Sequence, residues 1–221
     1  MAMPELFSVV VLGSMNPAIH HPQWYRHRDL LTLDEVNLAL AGPDLVVTPG
    51  FAQFSVGKIT VTCVQQRWAV QTTDQSQFQR VVTIAKQVMD TLTHTPISVV
   101  GINFDFCRPS GVRNIGALLA ARVHSLNLGF EGDGVLTATA SFSHQRVARL
   151  VSVLTTEAIA PDPTDPLSVS IKYNVELRML PAANYQEFNF AELLDEHLPA
   201  AITHSAQHLA RTLDALRRAE N

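Results

Sequence analysis

Between residues 167 and 179, apolar and polar side chains alternate without a break. Leu167, Val169, Ile171, Tyr173, Val175, Leu177 and Met179 share one parity; Ser168, Ser170, Lys172, Asn174, Glu176 and Arg178 share the other. Successive strand residues point to opposite faces. The run therefore demands a strand in an antiparallel sheet, one face covered and the other solvated or bound to something polar.

The segment from Asp74 to Phe106 supplies the covering layer and the strand beside it. Phe78, Val81, Val82, Ile84, Ala85, Val88, Met89 and Leu92 recur at i, i+3, i+4 and i+7, the spacing of a helix with one buried face. Asp74 is placed to cap its start, with Gln77 three residues on. His94-Thr95-Pro96 ends it, because proline disfavours the helical region for the residue before it. Period two follows, with Val100, Ile102, Phe104 and Phe106 facing one way and Val99, Gly101, Asn103 and Asp105 the other.

Residues 6–12 form a nearly continuous apolar run, predicting a strand buried on both faces. Residues 32–41 predict a short helix with a Thr32–Glu35 capping box and Val36 and Leu40 on its inner side. Four short strands follow, at 45–48, 51–56, 59–63 and 68–72. Their brief connections predict antiparallel neighbours, since parallel crossovers need a dozen or more residues. A second helix is predicted over 112–126, a glycine-rich turn over 127–134, strands over 135–142 and 146–156, and a surface loop over 161–166. A final helix is predicted over 190–219, kinked or restarted at Pro199, with Leu198, Ile202, Leu209, Leu213 and Leu216 on its stripe.

These elements predict one α+β domain spanning 1–221. Its antiparallel sheet or sheets carry the central and C-terminal helices on one side. A helix-grip fold is the alternative. A strand meander followed by a helix occurs twice, suggesting two similar halves, about 1–110 and 111–221.

Composition narrows the function. The net charge of −4 weighs against non-specific nucleic-acid binding, which needs a concentrated basic surface. No apolar run is long enough to span a bilayer, and residues 1–12 carry Glu5 and no basic start, unlike a signal peptide. The two cysteines, Cys63 and Cys107, are too few for a disulfide framework. A cytoplasmic location is expected.

Three places could carry chemistry. Residues 19–29 hold Trp24, Tyr25, Arg26 and Arg28, residue types enriched in binding hot spots, together with His20, His21 and His27. An ordered loop packed on its own domain is the plainer alternative. Asn103, Asp105, Cys107 and Arg108 place a carboxylate, a thiol and a guanidinium near the end of the central strand, or else form an exposed, ion-paired strand end. His204 and His208 fall about 20° to either side of His197 around the last helix, so the three could share one face. His204 and His208, four apart, could ligate one metal ion, or the three could form the wet border of an apolar stripe. Walker A, dinucleotide-fingerprint, paired CxxC and Gly-x-Ser-x-Gly patterns are absent from the sequence.

The Trp68-containing strand, the helix Phe78…Val82…Met89 and the strand ending Gly101-Ile-Asn103-Phe-Asp-Phe106 resemble those of a family of sporadically distributed, uncharacterised bacterial proteins. Ser170-Ile-Lys-Tyr-Asn-Val-Glu-Leu177 and the helix containing Leu193 and Ile202 are similar to that family's C-terminal half. The likeness covers about 60–210 and implies no activity and no residue roles.

The functional expectation is a non-catalytic interaction protein, an adaptor or structural subunit of a bacterial or phage-related assembly. It uses no cofactor and binds a protein partner or itself. Candidate contact residues are Trp24, Tyr25, Arg26, Arg28 and the polar-face trio Lys172, Glu176 and Arg178. The alternatives are a small-molecule binder with a cavity under the C-terminal helix and a metal-dependent hydrolase using His204 and His208.

Overall fold

The computed structural model describes residues 4–110, 140–148, 151–161, 167–179 and 189–220. Among the described residues nine antiparallel strands form one sheet. They are β1 (Leu6–Gly13), β2 (Val46–Val47), β3 (Phe51–Val56), β4 (Ile59–Val64), β5 (Arg67–Thr72), β6 (Ile97–Pro109), β7 (Ala140–Ala148), β8 (Val151–Pro161) and β9 (Ser168–Met179). Their order is β2-β3-β4-β5-β1-β6-β9-β8-β7. The helices are α1 (Pro22–His27), α2 (Leu33–Ala41), α3 (Phe78–Thr91) and α4 (Phe190–Glu220). The α+β class read from the sequence is the class observed.

Cross-strand register puts one parity of every strand into a single core. Phe7 faces Phe104, Val9 faces Ile102 and Val11 faces Val100; Val175 and Leu177 continue those rows on β9. All are at most 5% exposed. Each such side chain contributes about 2 kcal/mol by leaving water. The described helices all lie on this face. Phe78 of α3 packs its ring 5.1 Å from Phe7, Tyr25 of α1 bonds Trp68, and Thr212 of α4 bonds Glu157. An ion pair from Lys86 to Asp195 joins α3 to α4.

Apart from the two-residue β2, the strand order is symmetric about the β1–β6 pair. β1, the meander β3-β4-β5 and α3 are followed by β6, the meander β7-β8-β9 and α4. In each set the first strand pairs antiparallel with the last of its meander, β1 with β5 and β6 with β9. The two first strands then pair with each other. Read this way the repeat restarts at β6, so a division near residue 110 falls at the end of that strand.

Several local expectations are met, others revised. Thr32 and Glu35 form the reciprocal capping box. Asp74 caps a short 3-10 turn at Gln75–Gln77, and α3 begins directly after it. On α2, Val36 and Ala39 are buried while Leu40 is 38% exposed, because the inner side follows i, i+3. β1 is fully covered on one face only; Leu12 on the other is 36% exposed. β7 continues to Ala148 and β8 begins at Val151, so residues 143–145, which lie between the two predicted strands, are strand, and residues 146–148 belong to the first of the pair and not the second. Helix α4 runs through Pro199 without a restart. Its buried side carries Leu194, His197, Ala201, Ser205, Leu209 and Leu216, whereas Ile202 is exposed. The helix predicted over 112–126, the turn over 127–134, the strand residues 135–139 and the loop residues 162–166 lie outside the described residues.

Candidate functional site

The sheet face opposite the helices is built from the other parity of the same strands. One row crosses it through Ser55, Thr60, Gln71, Ser8, Asn103, Asn174 and Thr156, with Ser143 at the next register position. From Ser55 to Thr156, hydroxyls and carboxamides thus line up across seven strands. Asn103 Nδ2 donates to Ser8 Oγ at 3.1 Å, and Asn174 Nδ2 donates to Glu176 Oε1 at 3.1 Å. Asn174 Oδ1 is buried and accepts no hydrogen bond among the described residues.

The three predicted contact residues of β9 stand beside this row. Lys172 and Arg178 are exposed and Glu176 is half-buried. Arg178 Nη2 pairs with Glu176 Oε2 at 2.7 Å. Lys172 lies opposite Asp105 on β6. Burial raises the Asp105 carboxyl above its ordinary value, and the neighbouring Lys172 charge pulls in the opposite direction. Arg108 pairs with Glu5, whose other oxygen accepts from the Cys107 backbone N–H at 2.7 Å. The strand end singled out by sequence is therefore ion-paired and divided between the faces: Asn103, Asp105 and Cys107 have the parity of this face, whereas Arg108 shares the helix-side parity of Phe106.

The aromatic-basic segment is divided by α1. Tyr25 is fully buried and belongs to the core. Trp68 Nε1–H donates to Tyr25 Oη at 3.1 Å. Tyr25 Oη also hydrogen-bonds His20 Nδ1 at 2.8 Å, which leaves His20 Nε2 outside the network. That nitrogen is buried with no partner among the described residues. Burial lowers the His20 pKa to about 4 and pushes the nearby Cys63 thiol up to about 12. Trp24 is half-buried against the core, and Arg28 lies over its ring at 6.0 Å. Arg26 pairs with Asp29 at 3.2 Å. Among the four predicted contact residues of this segment, Tyr25 is thus not available to a partner: a six-residue helix turns it inward.

The histidines of α4 also separate. His197 is buried, and His204 and His208 are exposed on one flank. His208 Nδ1 lies 2.6 Å from Glu157 Oε2. Glu157 is 4% exposed. Sequence reasoning missed this carboxylate, although it shares the inward parity of Val153 and Ile159 on β8. Among the described residues no group of three or more His, Cys, Asp and Glu side chains could hold a metal ion. A groove of about 580 Å³ runs beside α4, lined by Arg108, Leu209, Ala210, Leu213 and Arg217 among others. Among the described residues no helix is long and apolar enough to cross a membrane.

No protein-family model matches the chain, and no curated protein matches it.

Proposed function

We propose that the chain is a non-catalytic interaction protein, an adaptor or subunit of a larger assembly, and that the sheet face opposite the described helices is its contact surface. The observation that carries this reading is the hydroxyl and carboxamide row flanked by Lys172, Glu176 and Arg178. Such a row offers donors and acceptors at regular strand spacing, and its charged flank would fix the register of a partner. Native mass measurement of the chain recovered from its own cells tests it. A defined mass above 24.3 kDa supports association. A lone chain at that mass argues against it.

The groove beside α4 favours a second reading, a small-molecule binder. Its lining combines leucines with Arg108 and Arg217, a mostly apolar wall with a few polar groups, as ligand sites usually have. A bound small molecule on an otherwise single chain in the same measurement would select it.

A further inference from the structure

We infer that His204 and His208 form a binding site for a divalent transition-metal ion of the zinc, nickel or copper type. The site lies on the helix-covered side of the sheet and is independent of the contact surface proposed above. The two histidines sit one helical turn apart on α4, and residues four apart are neighbours on a helix surface. Both are exposed.

What separates this pair from two chance surface histidines is the hold on His208. Its Nδ1 is bound by Glu157 Oε2 at 2.6 Å. The other Glu157 oxygen accepts from Thr212 Oγ1 at 2.8 Å, so the carboxylate is itself fixed. The imidazole also packs against Tyr173, with ring centroids 5.8 Å apart. A metal-ligating histidine characteristically gives its second nitrogen to a carboxylate, which sets the tautomer and raises the basicity of the ligating nitrogen. Here Nδ1 is held by Glu157, so Nε2 is the ring nitrogen left to meet a cation. A cation bound there would also balance the buried negative charge of Glu157. Two imidazoles suit zinc, nickel or copper and not magnesium or calcium. They fill two coordination positions, leaving the rest to water or to a donor from another molecule.

The test uses the full chain prepared without a histidine tag. Zn²⁺ is titrated by calorimetry, and Cu²⁺ is followed by electron paramagnetic resonance for nitrogen splitting. The inference expects one ion per chain with two coordinated nitrogens. His204→Ala, at an exposed position that should leave folding intact, should abolish saturable binding. Glu157→Gln should weaken it by about 10- to 100-fold at unchanged stoichiometry, with circular dichroism confirming the fold. His208→Asn serves as a second loss variant. Absence of saturable binding, or binding that survives His204→Ala, would overturn the site. Unchanged affinity in Glu157→Gln would overturn the role given to the carboxylate.

Discussion

Tyr25 Oη and Trp68 Nε1 meet at 3.1 Å inside the core, although forty-three residues separate them in the chain. This bond fastens the short helix α1 to strand β5. It also explains why an aromatic-basic segment that reads as surface delivers its tyrosine to the interior.

Tyr25→Phe keeps the ring and removes the hydroxyl. The Trp68 N–H and His20 Nδ1 then lose their shared partner in a buried setting. Leaving a buried polar group unsatisfied costs about 1–3 kcal/mol. A drop of about 2 kcal/mol in denaturant stability is expected, with a change in tryptophan fluorescence of the folded state. An unchanged midpoint would show that the network is not a stabilising element.

His20 links that network to pH. Its folded pKa of about 4 lies below the ordinary value of 6.5. The unfolded chain therefore binds the proton first, and stability falls as pH drops from about 6.5 towards 4. The difference amounts to about 3 kcal/mol by pH 4. Unfolding curves at pH 7 and pH 4.5 should show that loss reduced in His20→Phe relative to the native sequence. Identical losses in both would remove His20 as the cause.

Two glycines in paired strands should respond oppositely to alanine. A Cβ on Gly13 would meet the Pro96 carbonyl oxygen at 2.0 Å, and backbone on both sides cannot yield cheaply. Gly13→Ala should cost about 3 kcal/mol, the upper end of ordinary overpacking. At Gly101 the nearest atom would be Val10 Cβ at 3.6 Å, an ordinary contact. Gly101→Ala should be neutral or stabilising by about 0.5 kcal/mol through lower unfolded-state entropy. Thermal melts of the two variants decide the point.

The parts of the fold legible in the sequence are those where one period runs uninterrupted. The alternation of β9, the spacing of α3 and the switch to period two at β6 all appear where the residues place them. Segments too short for a period were not legible. In α1 six residues give no stripe, so only the tertiary bond to Trp68 shows which way Tyr25 turns. On α4 the apolar leucines suggested one stripe, but the small residues Ala201 and Ser205 are buried and Ile202 is exposed. The polar row was legible only in part, as the outward parity of single strands. Its continuity from Ser55 to Thr156 depends on register, which no one strand encodes. Glu157 was hidden because a carboxylate among inward residues breaks the apolar pattern, and its partners His208 and Thr212 lie more than fifty residues away.

The proposed contact surface is tested most directly by reversing charge on β9. The double variant Lys172→Glu/Arg178→Glu alters exposed positions, and exposed ion pairs contribute little to stability. The measurement is the native mass of this variant beside the unaltered chain, with melting temperatures of both. The prediction is an assembly for the unaltered chain and a lone 24.3 kDa chain for the variant, at nearly equal melting temperatures. An assembly that survives the double reversal would contradict it.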